Sequence, residues 1–223
     1  MGYNIAIDGP AGAGKSTISK LVAKEMNCIY VDTGAMYRGL AIHFLNKGLK
    51  PEQHKEIAAA CEDARISIEY ENGVQQIYLN DNNITARLRE EIVGNMASRS
   101  SALPEVRAKL LDLQRNLAKE KDVVMDGRDI GSFVLPDADV KIFLTASVDC
   151  RAKRRYDELV GKGIECDYEE IKKDIEDRDE RDMTREISPL VQAEDAVLLD
   201  SSDLGIDEVV DEIKKICENS RVK

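Results

Sequence analysis

The sequence predicts an α/β fold in which about five parallel strands form one sheet flanked by helices. Short apolar stretches alternate with longer stretches whose apolar residues recur at helical spacing, which is the pattern of repeated βαβ units. A glycine-rich loop joins the first strand to the first helix. Near residue 65 the period changes to strict alternation, which predicts an inserted antiparallel hairpin. The predicted sheet strands are residues 3–7, 28–32, 122–126, 139–144 and 196–200.

The composition indicates a globular chain and limits its partners. The 223 residues suit one α/β domain with insertions, and a net charge of −11 disfavours nucleic acid, whose binding depends on many Lys/Arg–phosphate contacts. No apolar run has membrane-spanning length and no secretory signal precedes the first strand, so we expect no membrane partner. The five cysteines are scattered and the two histidines complete no metal-ligand cluster. We expect reduced thiols, a cytoplasmic location and a monomer.

Residues 9–16 fit the phosphate-loop pattern G-x-x-x-x-G-K-[ST] and lie between a predicted strand and a predicted helix. Glycines let the backbone curl so that N–H groups point inward, and the helix adds the positive end of its dipole. Lys15 would neutralise the outer phosphates, and the Ser16 hydroxyl would bind Mg²⁺. The alternative, a glycine-rich turn with a solvent-exposed lysine, is disfavoured by the strand and helix on either side. The motif predicts a P-loop NTPase core that binds a nucleoside triphosphate through Gly9, Pro10, Ala11, Gly12, Ala13, Gly14, Lys15, Ser16 and Thr17.

Helices and a hairpin account for most of the remaining chain. The hairpin is predicted from strands 65–70 and 74–79 around the turn 71–73, and residues 80–83 are predicted to be a loop. Arg38, near the start of one helix, is either an anion ligand or a surface arginine. Apolar spacing, or a proline at a helix start, predicts helices at residues 16–26, 34–45, 51–64, 87–101, 104–119 and 204–217.

The third predicted sheet strand ends in the loop 127–131. In open α/β sheets ligands bind at the carboxyl ends of strands, where this loop falls. Asp126 could be the Walker B carboxylate, but its spacing from the phosphate loop does not establish that role. For Arg128 and Asp129 the loop alone leaves a substrate-binding role and a plain turn equally open.

Arginines are concentrated between the last two predicted strands, against the acidic sign of the whole chain. Arg151, Arg154 and Arg155 have the spacing of one helix face, as do Arg178, Arg181 and Arg185, and Gly161–Gly163 predicts a break between the two helices. A pair of salt-bridged, solvated helices is the alternative. Because a phosphate loop is present, we favour a mobile lid over phosphates.

A phosphoryl donor site with a separate arginine-rich pocket implies transfer to a second bound molecule. Charge spreads over the transferring phosphoryl oxygens, so Lys15, Mg²⁺ on Ser16 and the lid arginines would act by electrostatic stabilisation. Closure of the lid would exclude water and prevent hydrolysis. A GTPase switch is excluded because the chain has no N-K-x-D segment.

Five segments together resemble the bacterial-type cytidylate kinases, which make CDP or dCDP from CMP or dCMP and ATP. The resemblance covers nearly the whole chain and includes the hairpin insertion. The segments are IDGPAGAGKST at 7–17, VDTGAMYR at 31–38, DGRDIG at 126–131, KIFLTAS at 141–147 and DRDERDMTREISPL at 177–190.

The resemblance implies roles for matching residues. Arg38, Arg128 and Arg185 would hold the CMP phosphate. Arg178 and Asp182 would contact the ribose hydroxyls. The cytosine edge would be read by Ser98, Arg107 and Asp129, since a carboxylate accepts from the cytosine amine and meets an acceptor in uracil. Thr33, where some members carry serine, and Tyr37 would complete the substrate site. From the residues themselves, Lys15, Arg128, Arg155 and Arg185 are predicted to be catalytic and Arg151 and Arg154 to contact ATP, although the spacing does not decide which of Arg151, Arg154 and Arg155 reaches it.

The resemblance also implies one kinase domain with three parts. These are a core of residues 1–33, 101–150 and 186–223, a monophosphate-binding insertion of residues 34–100 and a lid of residues 151–185. Two rival functions stay open. One is a P-loop kinase for UMP, AMP, GMP or a metabolite, against which only the base-reading residues count. The other is a nucleotide-dependent regulatory protein without transferase activity, which would lack an acceptor pocket.

Overall fold

A computed structural model of the chain describes residues 2–221. Over these residues the strands are β1 (Asn4–Asp8), β2 (Ile29–Asp32), β3 (Ile66–Glu71), β4 (Val74–Leu79), β5 (Asn82–Asn83), β6 (Val123–Gly127), β7 (Val140–Thr145) and β8 (Val197–Asp200). The helices are α1 (Lys15–Met26), α2 (Thr33–Asn46), α3 (His54–Ala60), α4 (Glu91–Ser100), α5 (Pro104–Glu120), α6 (Val148–Gly161), α7 (Tyr168–Thr184) and α8 (Ile206–Arg221). No helix among the described residues is both long and apolar enough to cross a membrane.

The chain divides into two compact units. One comprises the residues up to Tyr30 and from Lys121 onward, and the other comprises Val31–Glu120. The strand order of the main sheet is β2-β6-β1-β7-β8, which confirms the predicted five-stranded sheet. β1 pairs in parallel with both β6 and β7 and is buried along almost its whole length. Strands buried on both faces read as continuous apolar runs, which is why the sequence predicted them.

The apolar core of the first unit packs around β1, and polar side chains gather at the carboxyl ends of β1 and β6. Ile5 and Ile7 of β1 are fully buried against apolar residues of α1 and α8, among them Val22 and Ile213. In the register of β1 and β6, Ile7 lies beside Asp126, and Asp8 lies beside Gly127. Two strands therefore end side by side where the chain enters the glycine-rich loop.

The second unit contains the predicted hairpin, which the structure extends to a three-stranded antiparallel sheet of order β3-β4-β5. The loop prediction for residues 80–83 was wrong for Asn82 and Asn83, which form β5, whereas Asn80 and Asp81 form a turn. Asn80 and Asp81 adopt left-handed φ angles of 48° and 67°, and this tight turn lets Asn82 pair with Leu79. The sheet packs on α2 at Gly39, where a Cβ atom would lie 2.9 Å from Ile66 Cδ1.

Two predicted helices of this unit have different bounds in the structure. The helix predicted at 51–64 occupies only His54–Ala60, because Pro51 lies in a preceding turn where Gln53 Oε1 accepts from the Lys50 N–H at 2.8 Å. The helix predicted from residue 87 begins at Glu91, after a short 3₁₀ helix, Thr85–Arg89. Both helices begin later than predicted, and the first also ends four residues early, at Ala60, because local capping and turn contacts decide helix boundaries.

Candidate active site

The glycine-rich loop runs from the end of β1 to the first residue of α1. Gly9 has a φ of 147°, and a Cβ atom there would lie 1.9 Å from the Leu144 carbonyl oxygen. Gly14, directly before α1, has a φ of 88°. Only glycine adopts this path without strain, so the backbone N–H groups of the loop remain available to an anion.

Lys15 is almost completely buried and holds the loop in shape. Its Nζ atom donates to the carbonyl oxygens of Gly9 and Pro10, both at 2.7 Å. Burial lowers the pKa of Lys15 well below its usual range and the Arg128 charge lowers it further, while Asp126 and Asp8 act in the opposite direction. The predicted phosphate-binding lysine thus lies among charged groups contributed by other strands.

Ser16 and Asp126 are brought together by the neighbouring ends of β1 and β6. Ser16 Oγ donates to Asp126 Oδ2 at 2.9 Å, and the Tyr30 hydroxyl donates to Asp126 Oδ1 at 3.2 Å. A hydroxyl and a carboxylate oxygen are hard ligands of the kind Mg²⁺ prefers. Mg²⁺ commonly takes one or two protein ligands and fills its remaining positions with phosphate and water oxygens, so this pair fits the ion. The contact supports the Walker B interpretation of Asp126.

Asp8 fixes the start of a short π-helix, Ile130–Val134, that follows β6, a role the sequence analysis missed. Its carboxylate accepts from the backbone N–H groups of Ile130 and Gly131 at 2.8 and 2.7 Å. Burial raises the pKa of Asp8 to about 6, although the two backbone hydrogen bonds lower it. The strand that leads into the phosphate loop therefore also positions the segment carrying Arg128 and Asp129.

Predicted substrate-binding residues of α7 and of the following segment converge on that loop. Arg128 Nε donates to Asp182 Oδ2 at 2.8 Å, and Arg185 Nη2 lies 3.6 Å from Asp129 Oδ1. Burial raises the pKa of Asp182, but Arg128, Arg178 and Arg185 together outweigh it and leave that pKa below its usual value. Because Arg128 and Arg178 also lower the pKa of Lys15, this arginine–aspartate cluster acts electrostatically on the phosphate loop.

The three predicted lid arginines of α6 have separate partners. Arg151 is buried and donates to the carbonyl oxygens of Ala146 and Ala11, both at 2.9 Å. Arg154 Nη2 donates to the carbonyl oxygen of Ser201 at 2.7 Å. Arg155 forms an ion pair with Glu158 on the surface. Their i, i+3, i+4 spacing correctly placed them on one helix, but the three side chains do not share one ligand-facing surface.

The second unit holds the other predicted substrate residues. The Arg107 guanidinium carbon lies 5.7 Å from the centre of the Tyr37 ring, and Arg107 Nη1 donates to the Ser101 carbonyl oxygen at 3.3 Å. Ser98 Oγ on α4 is buried with no hydrogen-bond partner among residues 2–221.

The start of α2 carries Thr33, Tyr37 and Arg38. Asp32 caps this helix by accepting from the Ala35 N–H at 2.9 Å. A Cβ atom on Gly34 would lie 3.2 Å from Asp32 Oδ1 and 3.3 Å from Arg38 Nη1. The Arg38 guanidinium therefore folds back toward the positive end of its own helix.

Comparison with known proteins identifies the family. A family model described as cytidylate kinase matches residues 5–219. Proteins named cytidylate kinase from Caldicellulosiruptor saccharolyticus and Streptococcus pneumoniae (strain Hungary19A-6) are 49% and 50% identical to the chain, over 213 and 215 residues. The two matches cover 96% of the chain and 94% and 96% of the respective relatives.

Solved structures are similar at the level of the fold alone. Shikimate kinase from Acinetobacter baumannii aligns with a TM-score of 0.51 and 14% identity, over 100% of this chain and 97% of that one. Shikimate kinase from Bacteroides thetaiotaomicron aligns with a TM-score of 0.50 and 15% identity, over 96% of this chain and 98% of that one. These likenesses agree with the P-loop kinase fold, and the family match is specific: the chain belongs to the cytidylate kinase family.

Proposed function

We propose that this protein transfers the terminal phosphoryl group of ATP to CMP or dCMP, giving CDP or dCDP and ADP. Family membership supports this reaction. The structural observation that carries it lies within the first unit: Asp8, at the end of the strand that enters the phosphate loop, holds the segment that follows Arg128, and Arg128 pairs with Asp182 of α7. A nucleotide-binding loop alone would fit many proteins, whereas half-buried arginines beside it supply a place for a second anion.

The donor nucleotide would bind along the glycine-rich loop. Its phosphate oxygens would accept from the loop N–H groups and from Lys15, whose Nζ–H groups bond to the neutral carbonyl oxygens of Gly9 and Pro10 in the structure. Hydrogen bonds between charged partners are about twice as strong as those between neutral ones, so phosphate would displace the carbonyls. Ser16 and Asp126 would hold Mg²⁺, which would neutralise charge on the phosphates during transfer.

Acceptor binding would use the arginine–aspartate cluster. Arg128 and Arg185 pair with Asp182 and Asp129 in the structure, so their guanidinium groups are already oriented before substrate arrives. Both would bind the CMP phosphate, while Arg178 and Asp182 would bind the ribose hydroxyls. Holding the two nucleotides in reactive geometry is the main task in phosphoryl transfer, because the protein supplies little covalent chemistry.

Base selection would depend on Asp129, together with Ser98 and Arg107 of the second unit. Asp129 is only 4% exposed, and its carboxylate would accept from the cytosine amine. Uracil presents a carbonyl oxygen at that position, which would leave a buried carboxylate facing an acceptor. A site built for such a hydrogen bond discriminates by about 10⁴. In the second unit, Thr33, Tyr37 and Arg38 would contact the acceptor, with Arg38 on its phosphate.

The α6 arginines would serve the donor. Arg151 bonds to the Ala11 carbonyl within the phosphate loop, so it would set the shape of the ATP site as well as its charge. Arg154 would contact ATP. Arg155 would stabilise charge on the transferring group after its ion pair with Glu158 breaks, which costs little because that pair is exposed.

The test is a coupled assay of ADP formation with CMP, dCMP, UMP, AMP and GMP, each against ATP and Mg²⁺. We expect kcat/KM for CMP and for dCMP to be at least about 100-fold higher than for UMP, AMP or GMP. Equal turnover of UMP would reject the cytosine assignment. Failure to form a diphosphate from any of the five would favour a nucleotide-dependent regulatory protein.

A further inference from the structure

The side chain of Gln75 in β4 pairs with the backbone of Asp32, 43 residues earlier in the chain. Its Oε1 atom accepts from the Asp32 N–H at 2.8 Å, and its Nε2 donates to the Asp32 carbonyl oxygen at 3.1 Å. One side-chain amide therefore satisfies both backbone polar groups of a single residue. Such two-point contacts fix position and orientation together.

Asp32 occupies the junction between β2 and α2. It is the last residue of the strand, and its carboxylate caps the helix. Thr33 is the first helical residue, and the Arg38 guanidinium folds back to within 3.3 Å of the Cβ position at Gly34. A movement of the Asp32 backbone would therefore shift the helix start toward which the Arg38 guanidinium points.

Gln75 lies on the face of the inserted sheet that packs on α2, and this packing holds its strand in place. Gln75 and Ile77 lie two residues apart in β4, so their side chains point to one face. Ile77 is fully buried, and its Cγ2 atom lies 3.2 Å from the Cβ position at Gly39 of α2. The next side chain, Gln76, points to the opposite face, where its Oε1 accepts from Asn83 Nδ2 at 3.3 Å.

We propose that Gln75 is a positioning residue for the acceptor: it fixes the β2–α2 junction so that Arg38 and Thr33 are oriented to bind the monophosphate. This inference rests on the proposed CMP kinase function. It gives the hairpin insertion a role in phosphate binding that requires no contact between its strands and the substrate.

The test compares Gln75→Met with Gln76→Met, since the two variants remove the same polar group from opposite faces of one strand. Methionine keeps the length of glutamine but makes neither hydrogen bond. We expect Gln75→Met to raise KM for CMP by roughly 3- to 10-fold, the equivalent of one or two lost hydrogen bonds, with kcat and KM for ATP within about twofold of wild type. Gln76→Met should leave all three parameters unchanged.

Two further measurements separate positioning from a general loss of structure. Gln75→Met should weaken the binding of CMP but not that of cytidine, which lacks the phosphate. In an Arg38→Ala background Gln75→Met should have a smaller effect on KM for CMP than in the wild-type background, because one of the two residues through which it acts is absent and only Thr33 remains. Gln75→Glu keeps the acceptor for the Asp32 N–H but sets its second carboxylate oxygen against the Asp32 carbonyl oxygen, to which Nε2 donates in wild type. It should raise KM for CMP at least as much as Gln75→Met and serves if Gln75→Met does not fold.

The inference is overturned if folded Gln75→Met or Gln75→Glu binds CMP like wild type, if CMP and cytidine are weakened equally, or if the effect adds fully to that of Arg38→Ala. Its failure is distinguishable from failure of the proposed function. If only the inference on Gln75 fails, wild-type protein still phosphorylates CMP and the Gln75 variants behave like wild type. If the proposed function fails, wild-type protein itself shows no CMP turnover, and the inference fails with it.

Discussion

Arg151 and Asp179 form a buried ion pair that joins α6 to α7, with 2.6 Å between Arg151 Nη2 and Asp179 Oδ2. The same guanidinium donates to the Ala11 carbonyl oxygen of the phosphate loop. The side chains of both residues are less than one-tenth exposed. Three separate segments of the first unit are therefore held by one arginine.

Arg151→Ala should destabilise the protein far more than a change at a surface arginine of the same helix. Removing one partner of a buried pair leaves the other charge without compensation and costs about 3–5 kcal/mol. The free energy of unfolding, measured by urea denaturation, tests this. Arg155→Ala is the matched control, since its pair with Glu158 is exposed and contributes about 1 kcal/mol or less. Equal losses in the two variants would contradict the structural role of Arg151.

Lys15→Ala should abolish phosphoryl transfer while leaving the fold intact. Lys15 donates to two carbonyl oxygens of the phosphate loop, and its burial already disfavours its charge, so its removal alters the shape of that loop and not the apolar core of the unit. Loss of one preorganised charge at the reacting phosphates lowers kcat by about 10²–10³ or more. Steady-state rates and circular dichroism check the two parts. A folded variant with unchanged turnover would reject the phosphate-loop assignment.

The sequence predicted the elements whose physical cause is local. The central strands β1, β6 and β7 are apolar runs because they are buried on both faces. The hairpin turn at Asn72-Gly73 was identified because both residues adopt left-handed φ angles, which these residue types tolerate. The phosphate loop was identified from its glycines. β5, the short third strand of the inserted antiparallel sheet, was missed because Asn80-Asp81 has the composition of any polar loop, and nothing in it indicates that the chain turns back on β4.

Long-range polar contacts could not be predicted from the sequence. Nothing near Asp8 indicates that its carboxylate will accept N–H groups from residues 122 and 123 positions away. Gln75 gives no signal either, because alternate glutamines in a hairpin look like a solvated strand. The spacing of the α6 arginines indicated a shared helix face but not which part of that face the rest of the unit covers. Arg151 is buried because the rest of the unit covers its part of the helix face, and Arg155 is exposed because its part is left uncovered.

Asp129→Asn should shift base preference from cytosine toward uracil. The asparagine amide can donate to the uracil carbonyl oxygen, whereas the carboxylate of Asp129 can only accept. We expect kcat/KM for CMP to fall by about 10² or more while KM for ATP changes little, so the ratio of UMP to CMP turnover rises. Parallel assays with CMP, UMP and varied ATP measure this. Comparable losses for CMP and ATP would show that Asp129 acts elsewhere.

Asp8 should make the protein less stable as pH rises from about 4 to about 7. Its pKa is about 6 in the folded chain against an ordinary value of 3.8, so between these values the folded state keeps a proton that the unfolded state has lost. Stability falls with pH wherever the folded state binds more protons. The shift corresponds to about 3 kcal/mol at most. The free energy of unfolding of wild type minus that of Asp8→Asn should fall by up to this amount across the range.

Asp63 provides a control of opposite sign. Hydrogen bonds from Lys47 and His43 lower the pKa of its exposed carboxylate to about 2. The stability it contributes is therefore present above its ordinary pKa and lost as pH falls from about 4 to about 2. The difference between wild type and Asp63→Asn should thus rise with pH in the acid range and be flat above it. A flat difference for Asp8→Asn between pH 4 and pH 7 would show that its carboxylate keeps an ordinary pKa, and that the hydrogen bonds from Ile130 and Gly131 compensate fully for burial.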